Sequence, residues 1–227
     1  MKTEDLIKEF RLQVADNDKP YLWSPDEVFG YVVDAQDMFV RETGGIADAT
    51  TPEITKIKVK DGQPFAEYSP FILRFRAARL VTAKTDVTFV NLGDVGGVAV
   101  RDYGDHYLNT LDDDDEGTVE SAILGLEDNK IRWFKVPDTD DTCQLQVYRL
   151  PYPRMVTEND DLEIDEHHHR HLILWMKHLA YSKQDAETYD KDAAEKNEAA
   201  FTRYCERARK ERERQRFKTR VVRYGGI

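Results

Sequence analysis

The sequence predicts a mixed α+β protein. Both ends of the chain build a helical bundle, a small antiparallel β domain is inserted between them, and a long C-terminal helix projects with its tail. Three observations lead there. Apolar residues recur at helical spacing near both ends, whereas between residues 51 and 150 they fall into short runs separated by turn residues. A complete helix-start signature stands at Ser24, Pro25 and Glu27. The last 25 residues carry ten Lys/Arg against three Asp/Glu, a net +7, on a chain whose total is −11; the first 202 residues therefore hold −18. The expected segments are 1–50 and 156–216 for the bundle, 51–155 for the β insertion, and 217–227 for an extended docking tail.

Taken in order, residues 3–14 place Leu6, Ile7, Phe10 and Val14 on one face of a first helix. The second helix has Ser24 as its cap, Pro25 at its first position and Glu27 closing a capping box. Trp23 and Val28 can staple its entry. Val28, Tyr31, Val32, Ala35, Met38 and Phe39 form its apolar stripe, and Gly44 with Gly45 ends it. Residues 54–59 alternate imperfectly, followed by a hairpin turn at Asp61 and Gly62. Strand-like runs follow at 71–80, 86–90, 97–101, 123–126, 131–136 and 144–150, with tight turns at 127–130 and 137–141. Helices return near Asp165. Ile164, Leu172, Trp175, Met176 and Leu179 mark one stripe. Asp190 caps a last helix to about Arg216, with Ala194, Phe201, Tyr204 and Ala208 inward and Asn197 as the exception. Beyond Ala208 no large apolar residue follows until Phe217, so the second half of that helix should overshoot its core.

Composition excludes several classes. No stretch approaches the roughly 18 apolar residues of a membrane helix, and the acid-bearing start MKTEDLIKEF does not read as a signal peptide. Two cysteines, Cys143 and Cys205, with no local spacing relation do not suggest a disulfide scaffold and fit a reducing compartment. Residues 165–171 (DEHHHRH) are the metal candidate, because His167 and His171 at i, i+4 could share one ion with Glu166 beside them. The HExxH order is absent, however. Acids and imidazoles in a first turn are explained by the helix dipole and by hydrogen bonding. The acidic run 112–116 lacks the glutamate that a calcium loop needs at its twelfth position, which is Ile123. Residues 93–97 are glycine-rich but match neither GxGxxG nor GK[ST]. No serine lies in GxSxG. No enzyme, cofactor or metal is expected.

The basic arm has two readings. Its cations, Arg207 to Arg220, could neutralise phosphates. Alternatively it docks on a protein, with Arg212, Arg216, Lys218, Arg220 and Arg223 supplying charge and Val221, Val222 and Tyr224 serving as anchors. A body at −18 opposes DNA approach, and Glu206, Glu211 and Glu213 interleave the arginines. Docking on a protein is therefore the first expectation. A nucleic-acid-binding module is the alternative, and a metal-dependent hydrolase using the histidines is a further one.

The segments YLWSPDEVFGYVVDAQDMFVRETGGIADAT (21–50), HHHRHLILWMKHLAYSKQDAETYD (167–190) and KTRVVRYGGI (218–227) resemble the head-to-tail connector proteins of tailed bacteriophages. The likeness covers 1–50 and 160–227; the β middle matches in character only. It implies a neck adaptor in the virion, made in the host cytoplasm: a homo-oligomeric ring, commonly of twelve copies, under the portal protein. A tail or nozzle protein would lie below it. Genomic DNA would pass its acidic channel without specific binding, and no membrane would be involved. The C-terminal tail would insert between portal subunits. Related adaptor groups have been linked with cell-wall lysis, but no motif here carries that activity over.

Overall fold

The computed structural model describes residues 1–91, 116–184 and 188–216. It is a mixed α+β protein whose chain divides into two compact units: Met1–Gly44 with Pro151–Ile227, and Gly45–Leu150. The expected strand at 97–101, the glycine-rich 93–97, the acidic 112–115 and the tail 217–227 lie outside the described residues.

The first unit contains α1 (Thr3–Gln13) and α2 (Pro25–Glu42); two further helices, Glu166–Ser182 and Lys191–Arg216, complete it and are labelled α4 and α5. In α1, Leu6, Ile7 and Phe10 are buried as spacing requires, while Val14 is only half-buried. α2 begins with the full capping box: the Ser24 hydroxyl accepts from the Glu27 amide and the Glu27 carboxylate accepts from the Ser24 amide. Its buried face comprises Val28, Val32, Ala35, Gln36, Phe39 and Val40; Tyr31 and Met38 lie at its margins. α4 packs against α5, α2 and α1. The shared core includes Phe10, Trp23, Phe39, Leu172, Met176 and Phe201, all essentially without exposure. Trp23 is the joint of the chain entry: its ring meets Phe10 edge-on at 6.0 Å and Tyr181 at 6.2 Å. Beside it, Arg11 bridges the buried Asp16 and donates to the Trp23 carbonyl, so the charge it buries is paired.

The second unit is built on β1 (Ile46–Asp48), a single helical turn α3 (Pro52–Thr55), β2 (Lys56–Val59), β3 (Phe65–Glu67), β4 (Ile72–Leu80), β5 (Asp86–Asn91), β6 (Glu116–Gly117), β7 (Ser121–Leu124), β8 (Lys130–Trp133), β9 (Val136–Pro137) and β10 (Asp141–Arg149). The main sheet runs β1-β10-β4-β5-β7-β8-β3, with β2 also on β10. The consecutive strands β2 and β3 touch, so the sheet curls until its ends approach one another. Ile57, Val59, Ala78, Leu80, Val87, Ile123, Ile131, Trp133, Leu145 and Val147 fill its interior.

Three expectations are corrected here. The sheet is not wholly antiparallel: β5 pairs parallel with β7, and β6 with β9. A long excursion, residues 92–120, separates β5 from β7, and such a connection permits the parallel pairing that a hairpin forbids. Residues 54–59 alternate poorly because 52–55 form a helical turn led by Pro52, after which Ile57 and Val59 do alternate inward. Finally, Asp61 and Gly62 make a turn, with the Gln63 amide donating to the Lys60 carbonyl at 3.1 Å and Gly62 at φ +67°. No hairpin results, since β2 pairs β10 and β3 pairs β8.

Asp48 organises the entry to this unit. Its carboxylate accepts from the Thr50 and Thr51 amides and bridges Arg149, across 101 residues of sequence. Burial pushes this acid up, but hydrogen bonds from Thr51, Thr50 and Arg149 outweigh it and hold the group well below the usual carboxylate range.

Candidate partner interface

The basic arm begins as a helix for local reasons. The Asp190 carboxylate accepts from the Ala193 amide at 3.0 Å, capping the N-terminus of α5 as the sequence suggested. Ala194, Phe201, Cys205 and Ala208 bury one stripe, with Tyr204 half-buried beside it and Asn197 turned to the Ala193 carbonyl. The helix is 26 residues long, roughly 39 Å. Arg203, Arg207, Arg209, Lys210 and Arg214 are exposed along it. Arg209 pairs with Glu213 at 3.1 Å. Among the described residues, Glu206 and Lys210 form no ion pair, although their spacing permits one.

Of the residues expected to bind a partner, Arg212 is half-buried and donates to the Thr43 carbonyl at 3.4 Å, where α2 ends. A cation at that helix C-terminus is favourably placed against the dipole. α5 is therefore still held by α2 at Arg212, and only its final turn lies beyond that contact. Arg216 is the last residue of α5. Lys218, Arg220, Val221, Val222, Arg223 and Tyr224 fall outside the described residues.

Sequence reasoning missed the joint that fixes the arm's direction, which is Tyr204. Its hydroxyl lies 2.8 Å from His168 Nδ1, and its ring stacks on His171 at 3.5 Å with planes 3° apart. The Arg207 guanidinium sits over the same ring at 5.8 Å, and Phe39 lies 6.3 Å from it. Two histidines of α4 thus clamp one tyrosine of α5. The signal for this was present: His168 and His171 are one helical turn apart, and Tyr204 stands on the inner stripe. Burial pushes the His168 imidazole down to about 4, with the neighbouring His167, Arg212 and His171 adding to burial and Asp165 opposing it. The ring is neutral at pH 7. His169 is likewise internal, with its two ring nitrogens 2.9 Å from the Met1 and Ile164 carbonyls.

His171, whose ring stacks on Tyr204, is not among the donors that converge near His167. The donors that do converge are Asp165, His167 and His168, within 4.8 Å of one another. They sit at the positive end of α4 with Arg212 nearby, an environment that repels a cation. The geometry favours a packing joint over chemistry. No helix among the described residues is long and apolar enough to cross a membrane.

Comparison with known proteins gives one family. The family model described as SU10 adaptor protein matches residues 1–224. No curated protein matches the chain.

Proposed function

From the membership of this chain in the SU10 adaptor protein family, a structural family of phage adaptors and not an enzyme class, we propose that it is the ring adaptor in the neck of a tailed phage. It joins the capsid portal to the tail. The match across nearly the whole chain is the observation that carries this reading.

The architecture supports it. The helical unit, 1–44 with 151–216, carries the inserted β unit 45–150, and copies pack sideways into a closed ring. The clamp of His168 and His171 on Tyr204 aims the basic end of α5, and residues 217–227 continue from it toward the portal. There Val221, Val222 and Tyr224 serve as anchors, while Arg216, Lys218, Arg220 and Arg223 meet acidic groups. The body, at −18 outside the arm, suits a conduit through which DNA slides without adhering.

The test is deletion of 217–227. The shortened chain should fold with unchanged circular dichroism and melting temperature and should no longer co-sediment with portal rings. If it still binds the portal as the full chain does, the docking account is wrong.

A further inference from the structure

The outer face of β2, β10 and β4 is cationic and carries no carboxylate. Cys143, Leu145 and Val147 point into the core of the second unit. Gln144, Gln146 and Tyr148 therefore point outward. Register then fixes the rest of that face, since directly paired residues share a side of the sheet. Lys56 and Arg79 flank Gln144, Ala77 flanks Gln146 and Arg74 flanks Tyr148. Lys58 follows Lys56 at the next outward position and is exposed like it. A bulge between Gln146 and Val147 brings Arg76 to the same side, and the Arg74 and Arg76 guanidiniums lie 4.6 and 5.1 Å over the Tyr148 ring. Five cations thus share one three-strand face, all exposed. Asp86, directly opposite Arg79 on the neighbouring β5, pairs with it at 3.8 Å, and Glu67 of β3 lines the same cleft as Lys56 and Lys58. Asp141, at the margin, is turned to the Thr82 and Ala83 amides.

Such a face is unexpected on a chain at −11. Copies of an acidic protein repel one another, so a stable lateral contact needs a place where opposite charges meet. The complement is on the same chain. Residues 158–166 hold six acids and no Lys or Arg, with Leu162 and Ile164 buried while Asp161, Glu163, Asp165 and Glu166 face solvent. We propose that the β2–β10–β4 face of one copy docks on the acidic strip 158–166 of the next copy. The contact is heterologous, as a ring requires. Charge complementarity names the occupant as a second copy, since DNA would meet the repulsion of the whole body. The inference rests on the ring reading above.

The experiment is sedimentation velocity of the full chain at up to millimolar concentration. Wild-type copies should associate weakly, and the association should fall by roughly tenfold as salt rises from about 0.05 M to about 0.5 M. Lys56→Glu/Lys58→Glu, and separately Arg76→Glu/Arg79→Glu, should fold normally and lose the association. An Asp161→Lys/Asp165→Lys variant should lose it alone and regain it when mixed with Lys56→Glu/Lys58→Glu. Unchanged association in folded face variants, or none in wild type at any salt, overturns this contact, and portal stoichiometry then decides the ring reading separately. Tight binding of a 30-base-pair duplex that is abolished by both face variants overturns it in favour of a nucleic-acid surface.

Discussion

At the scale of single residues, buried charge and buried imidazole carry the informative chemistry. His168 is held neutral, with a folded value of about 4 against an ordinary 6.5. Above pH 6.5 neither folded nor unfolded chain protonates it, and the stability of its burial is fully present. Between pH 6.5 and 4 the unfolded chain takes up a proton that the fold refuses, so stability is lost as pH falls through that window, by on the order of 2 kcal/mol. His168→Phe should flatten that slope in denaturant titrations at pH 4.5 and 7; an unchanged slope would remove His168 as the cause. Arg149 presents the complementary case. Arg149→Met leaves Asp48 buried and unpaired and should cost about 3–5 kcal/mol, measured by urea unfolding. The Arg149 role was not readable in the sequence, because its pairing with Asp48 spans 101 positions and nothing local announces it.

At the scale of elements, the sequence was most readable where local chemistry decides. Ser24 and Glu27 cap α2 within one turn, and Ser24→Ala should cost about 1 kcal/mol in thermal melts. Asp190 and the α5 stripe were equally local. The sheet was less readable because strand partners are chosen at long range. Period alone did not show that β5 turns parallel to β7 or that β2 leaves its apparent hairpin partner for β10. β1 and β3, three residues each, are too short to show a period at all. The placement of β1 depends on close backbone approach: Gly45 has φ +91°, and a Cβ there would sit 2.8 Å from the Tyr148 Cβ. Gly45→Ala should destabilise by more than about 1 kcal/mol, from positive φ and overpacking together. A change under a few tenths would mean that β1 yields easily.

At the scale of the whole molecule, the charge split and the quoted segments pointed to an adaptor, and the family match over residues 1–224 agrees. The interface was readable in part. Arg212 and Arg216 stand at the end of α5, and the helical spacing of His168 and His171 with Tyr204 on the inner stripe was legible, but nothing local announces that Arg212 reaches back to Thr43 or that these histidines meet Tyr204. Those are packing facts between helices far apart in the chain. Assembly on a portal is measured by native mass spectrometry at micromolar concentration. The purified 26.4 kDa chain should appear alone as a monomer and, mixed with portal rings, as a ring of many copies bound to each. A free monomer that ignores the portal would contradict it.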